Sequence, residues 1–206
     1  MVPKIKICGI KTLDEIQTIN LFPVDYVGFV FAPSKRQISV EQFITLKSSL
    51  RRDIKTVGVF VNENISTINE IVKASNLDIV QLHGDETNMD CTKTIAPVWK
   101  SIAIRDTSSL SIIDNYTSAD GILLDTYSPV SKGGTGKTFN WKLVENISLN
   151  HFVVLAGGLN EYNVASAIMT TKPHVIDVSS GVEKNNRKDK DLITKFIRRV
   201  TCHEHK

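Results

Sequence analysis

Asp25-Tyr-Val-Gly-Phe-Val-Phe31 and Lys55-Thr-Val-Gly-Val-Phe-Val61 are short runs, apolar on both alternating faces. A strand of that kind is covered on both sides, as in a parallel sheet dressed with helices. Working outward, similar Val- and Ile-rich runs fall at 4–8, 25–31, 55–61, 78–82, 97–103, 120–125, 151–156 and 174–178. Helical patterns separate them. Thr12 with Glu15, and Ser39 with Gln42, make capping boxes ahead of apolar residues. Ile65, Ile68, Ile71 and Val72 line one face of a third helix, and Leu192, Ile193, Phe196, Ile197 and Val200 line the last. The fourth and fifth helices are weak and are inferred from spacing. Eight strands in 206 residues give about 25 residues per βα unit, the lower edge for a closed barrel. A doubly wound open sheet is the competitor. The uninterrupted alternation favours an α/β fold, a (β/α)8 TIM barrel forming one domain over 1–206.

Hydrophobic residues make up 41% of the chain and charged ones 23%, which excludes a disordered protein. The net charge is +3, and Lys188, Lys190, Lys195, Arg198 and Arg199 read as the solvated face of a terminal helix. Nucleic acid is therefore not expected as a partner. Cys8, Cys91 and Cys202 fit neither a disulfide framework nor a zinc pattern, which indicates a reducing compartment. The start, MVPKIKICGI, lacks the apolar run of a signal peptide, and no segment reaches membrane-spanning length. A cytoplasmic location without membrane contact is expected. Cys202-His203-Glu204-His205 reads as a solvated terminus, not as a metal site. Nothing in the sequence sets an oligomeric state.

Barrel enzymes carry their chemistry at the C-terminal ends of strands. Here those ends hold Cys8-Gly9, Pro33-Ser34-Lys35-Arg36, Asn62, Gln81-Leu82-His83-Gly84-Asp85, Asp125, Ala156-Gly157-Gly158 and Asp177-Val-Ser-Ser-Gly-Val-Glu183. Glycine lets backbone N–H groups approach a phosphate closely, and the loops after strands 7 and 8 are a common place for one. Gly157, Gly158 and Gly181 taken singly read as turn glycines, but two adjacent glycine-bearing ends, the second with Ser179 and Ser180, favour phosphate binding. Gly136-Lys137-Thr138 invites a P-loop reading, but that motif needs glycine where Ser131 stands. The loop Ser131-Lys-Gly-Gly-Thr-Gly-Lys-Thr138 fits a segment closing over substrate better. Cys8 alone reads as a small buried hydrophobe and Asp125 alone as a helix cap; together at one barrel mouth they make an acid–base pair. Arg36 at a strand mouth suits a carboxylate or phosphate.

The segments KICGI (6–10), GFVF (28–31), VGVFVN (57–62), VQLHGDE (80–86), LLD (123–125), GGTGKTFNW (133–141), LAGGL (155–159) and DVSSGVE (177–183) run in order along nearly the whole chain. In them the chain resembles the phosphoribosylanthranilate isomerases, barrel enzymes of tryptophan biosynthesis. It departs from the family pattern at Lys35, Asn140 and Arg187, where proline, aspartate and glycine are usual. The resemblance implies an Amadori rearrangement of a small phosphosugar without cofactor or metal, the substrate's own nitrogen serving as electron sink. It implies Asp125 as general acid, Cys8 as general base and Arg36 on the anthranilate carboxylate. Gly157, Gly158, Ser180 and Gly181 would bind phosphate, and His83 and Asp177 would contact substrate. Other phosphosugar barrels compete: an epimerase would want metal ligands or paired carboxylates, and a synthase a lysine acid at a strand end. A non-catalytic phosphosugar-binding barrel would need neither Cys8 nor Asp125.

The chemistry starts from a thiolate and a neutral carboxylic acid, whereas ordinary pKa values are about 8.5 for cysteine and about 3.9 for aspartate. That order is inverted by roughly 6 kcal/mol. Leu123 and Leu124 are expected to raise Asp125, and the first helix's N-terminus with Lys11 to lower Cys8.

Overall fold

The computed structural model describes residues 2–127, 138–145, 147 and 150–202. Among these, eight parallel strands close into a barrel. They are β1 (Lys4–Cys8), β2 (Tyr26–Val30), β3 (Lys55–Phe60), β4 (Ile79–Leu82), β5 (Val98–Ile104), β6 (Gly121–Thr126), β7 (Val153–Leu155) and β8 (Val175–Val178). Each pairs with its sequence neighbour, and β1 closes the ring on β8 with Lys6 opposite Asp177. The eight expected strands are all present, with their ends within two residues of the expected bounds. The expected glycine-rich loop lies outside the described residues apart from Thr138, as do tail residues His203, Glu204 and His205.

The helices are α1 (Leu13–Ile19), α2 (Val40–Ser48), α3 (Ile65–Ser75), α4 (Asn88–Lys93), α5 (Val164–Thr171) and α6 (Lys190–Thr201). Both expected capping boxes form, Thr12 with Glu15 and Ser39 with Gln42. The weak connections are short for a reason. The segment after β4 offers one buried apolar residue, Cys91, and makes six residues of helix. The Ser-rich segment after β5 makes a 3-10 helix over Thr107–Asn115. After β8 the chain adds an antiparallel hairpin, β9 (Glu183–Lys184) with β10 (Arg187–Lys188), before α6. No helix among the described residues is long and apolar enough to cross a membrane.

Alternation along each strand sorts side chains into two layers. Ile5, Ile7, Val27, Phe29, Ile122 and Leu124 point outward into the core shared with the helices. Tyr26, Val57, Ile79, Trp99, Leu123, Val154 and Val175 fill the barrel interior. There the Tyr26 and Trp99 rings meet edge to face at 5.0 Å. Continuing two residues along the inward face leads from Leu123 to Asp125 and from Val175 to Asp177, and the same step leads from Lys6 to Cys8. The interior's apolar plug thus becomes the floor of a polar mouth at the C-terminal ends of the strands.

Candidate active site

That mouth is a cavity of about 770 Å³ lined by Cys8, Arg36, Gln81, His83, Asp125, Gly157, Gly158, Asp177, Ser179 and Ser180, among others. Every expected site residue except Gly181 borders it. Gly181 is set back: a Cβ there would lie 1.9 Å from the Leu159 carbonyl oxygen, so it lets the β7 and β8 loops touch.

Asp125 ends the inward face of β6. Its Oδ1 accepts the Thr126 N–H at 2.7 Å, and its Oδ2 stands 3.3 Å from His83 Nε2. His83 Nδ1 is 2.9 Å from the Gln81 side-chain nitrogen. An amide N–H can only donate, so this pairing leaves the imidazole proton on Nε2, facing the carboxylate. Gly157, at φ +87°, closes the other side; a Cβ there would lie 2.4 Å from Thr126 Oγ1 and 2.9 Å from Asp125 Oδ1. Gly158 is also left-handed, at φ +63°. Both conformations suit glycine, which adopts them without steric cost.

Cys8 faces the cavity from β1. Gly28, its register partner on β2, makes room for the thiol, because a Cβ at 28 would lie 2.5 Å from Cys8 Sγ and 3.0 Å from its Cα. Gly28→Ala is therefore expected to displace the sulfur and cut kcat on the order of 10²-fold. Steady-state kinetics on a variant shown folded by circular dichroism checks this. Burial pushes the Cys8 thiol up; Lys6 pulls it back, Asp177 pushes it up, and Lys188 pulls it down, with the net result raised. This corrects the expectation that Lys11 lowers Cys8. The Lys11 ammonium lies on the surface, donating to the Lys35 carbonyl at 3.1 Å.

Arg36 is less free than its place at a strand mouth suggests. Its Nε and Nη2 donate to Glu183 at 2.8 and 2.7 Å. Glu183 also accepts from Lys188 Nζ at 2.7 Å. Lys188 is not a solvated basic residue as expected: its side chain is 0% exposed, and its Nζ also donates to the Ser179 carbonyl at 3.1 Å. Two cations hold the Glu183 carboxyl down at about 2 against the cost of its own burial. Lys188 has one carboxylate partner against near-complete burial, and there burial wins and lowers its pKa.

Lys6 and Lys188 are the residues that sequence reasoning missed as part of the site; Gln81 and Glu183 stood among the strand-end residues without a role, and Ser179 only beside Ser180. Lys6 is 0% exposed and donates to Asp177 Oδ2 at 2.7 Å. Asp177 Oδ1 and Gln81 Oε1 are buried and accept no hydrogen bond from the described residues. Ser179 Oγ donates to the Cys8 carbonyl at 2.9 Å, tying β1 to the loop after β8.

Fold and site together define a (β/α)8 barrel whose glycine-lined mouth brings a cysteine and an aspartate to one cavity. The family model for N-(5'phosphoribosyl)anthranilate (PRA) isomerase matches residues 5–199. The chain belongs to this family. It is 47% identical over 199 residues to the N-(5'-phosphoribosyl)anthranilate isomerase of Thermoanaerobacter pseudethanolicus, covering 96% of this chain and 97% of the relative. It is 41% identical to that of Acetivibrio thermocellus, covering 95% and 94%. Among solved structures, phosphoribosyl anthranilate isomerase from Thermotoga maritima superposes with a TM-score of 0.90 at 38% identity, covering 97% of this chain and 98% of that one. Another, in complex with reduced 1-(o-carboxyphenylamino)-1-deoxyribulose 5-phosphate, superposes at 0.85 with 36% identity and the same coverage.

Proposed function

We propose that this chain isomerises N-(5-phosphoribosyl)anthranilate to the 1-deoxyribulose 5-phosphate ketose, a step of tryptophan biosynthesis, with Asp125 as acid and Cys8 as base. The observation that carries the assignment is that both side chains face one cavity, from β6 and β1. The two strands between them on one side, β7 and β8, lead into the glycine-bearing loops. Protonated Asp125 gives its proton to the furanose ring oxygen, and the C1–O bond breaks to leave an iminium. The Cys8 thiolate then takes the C2 proton, and those electrons flow to the nitrogen to give an enolamine. That species tautomerises to the ketone, gaining a proton at C1 and losing one from the C2 hydroxyl.

Gly157, Gly158 and Ser180 would receive the phosphate, with Gly181 fixing how closely their two loops approach. Asp177 Oδ1 and Gln81 Oε1 offer acceptors for sugar hydroxyls, since a buried acceptor left unpaired costs about 1–3 kcal/mol. Arg36, with Nε and Nη2 engaged by Glu183, offers its Nη1 edge to the anthranilate carboxylate.

The test is a fluorescence assay in which a separate transferase makes phosphoribosylanthranilate in situ from anthranilate and phosphoribosyl pyrophosphate. Excess protein should consume it faster than it decays alone. Protein that leaves the decay unchanged, yet binds phosphate-bearing ligands, would move the assignment to another sugar-phosphate reaction or to binding alone.

A further inference from the structure

A lysine with a fully buried side chain inside a barrel needs a reason, because removing an ammonium from water costs several kcal/mol unless charge and hydrogen bonds compensate it. Lys6 does not line the cavity. It lies beneath, on the inward face of β1 two residues before Cys8, so both side chains leave the strand on the same side. Barrel closure sets it in register with Asp177 on β8, and one of its three donors goes to Asp177 Oδ2 at 2.7 Å. Burial alone would depress this ammonium. Asp177, by charge and by its hydrogen bond, and Cys8, by charge, instead hold its pKa above the ordinary lysine value.

We propose that Lys6 is a positioning residue for the reaction: its buried ammonium, paired with Asp177 under the cavity floor on the strand face that carries Cys8, stabilises the thiolate in which Cys8 acts as base. The inference rests on the assignment of Cys8 above.

The surrounding charges explain why an anion fits there. Lys188 from β10 and Arg36 from the β2–α2 loop also act on Cys8, and both are paired with Glu183. The Glu15 carboxylate at the start of α1 is met by the backbone N–H groups of Lys11, Thr12 and Lys188. Lys6, Lys188 and Arg36 thus face the two carboxylates of Asp177 and Glu183. Among these groups, Lys6 and Lys188 favour a thiolate at Cys8, and Asp177 opposes it. Of the three cations, Lys6 is the one on Cys8's own strand face, and the Glu183 carboxylate does not compete for it. Lys6 also couples base to substrate. The same ammonium fixes Asp177 Oδ2, which leaves Oδ1 as the oxygen without a protein partner.

The test is alkylation of Cys8 by iodoacetamide as a function of pH, read by mass spectrometry, with exposed Cys202 in the same sample as internal standard. Iodoacetamide reacts with the thiolate, and one pKa unit changes the thiolate fraction tenfold below the pKa. In Lys6→Met, Cys8 alkylation at pH 8 is expected to slow at least tenfold and its pH profile to move up, while Cys202 is unaffected. If Lys6→Met does not fold because Asp177 is left unpaired, Lys6→Met/Asp177→Asn is compared with Asp177→Asn, and the same tenfold difference is expected. A Cys8 rate within twofold on loss of Lys6, in whichever background folds, would overturn the proposal. Alkylation is read without turnover. An inactive wild type would therefore count against the isomerase assignment, and an unchanged alkylation profile against Lys6.

Discussion

Asp125→Asn is expected to lower kcat by about 10²–10⁴-fold, the usual worth of a positioned proton donor, with little change in KM. The amide keeps the shape of the carboxyl. Its oxygen still accepts the Thr126 N–H that Oδ1 accepts at 2.7 Å, which holds the β6 end and the adjacent Gly157 turn, while its amide nitrogen replaces Oδ2 opposite His83 Nε2. What is lost is the proton for the ring oxygen. Fluorescence-monitored kinetics reads the loss directly. A kcat within threefold of wild type would show that another group supplies the proton. His83, with Nε2 at 3.3 Å from the carboxylate, would be the first to examine.

Glu183→Gln should have the largest effect on stability. The carboxylate receives the Arg36 fork and the Lys188 ammonium together, and the Lys188 side chain is wholly buried. Removing the negative charge leaves Lys188 without its ion pair, and breaking a buried pair in this way typically costs about 3–5 kcal/mol. The pH dependence follows from the same contacts. A carboxyl held at about 2, below its ordinary 4.5, contributes stability that is complete above about pH 4.5 and drains away as pH falls toward 2. Urea denaturation at pH 7 should show the full difference between wild type and variant. The gap should narrow as the buffer is taken through pH 4 to pH 2. A gap that stays constant across that range would assign the loss to packing instead. Arg36, released from its fork, should also hold substrate less well and raise KM.

Much of the fold was legible because burial on both faces leaves a local mark. Strands such as Tyr26–Val30 and Lys55–Phe60 announce themselves by composition, and the capping boxes at Thr12 and Ser39 fix helix starts within a residue. The active-site face was legible because barrel geometry says where to look, and Cys8, His83, Asp125, Gly157 and Asp177 all border the cavity. The charged layer beneath it was not. Lys6 sits in Lys-Ile-Lys-Ile-Cys, where alternation cannot tell which face is interior; pairing with Asp177, 171 residues away, decides it. Lys188 reads as one more basic residue near the terminus until the β9–β10 hairpin folds it under Ser179. Glu183 reads as the end of a loop motif, and only the tertiary fold brings Arg36 to it from 147 residues away.

The central claim is that the Cys8 sulfur removes the C2 proton. Cys8→Ala, assayed on phosphoribosylanthranilate generated in situ, tests it most directly. The side chain is small and Gly28 lies beside it, so the truncation leaves the cavity wall in place. The account predicts turnover at least about 100-fold slower with KM essentially unchanged. Turnover within threefold of wild type in a folded Cys8→Ala protein would contradict it.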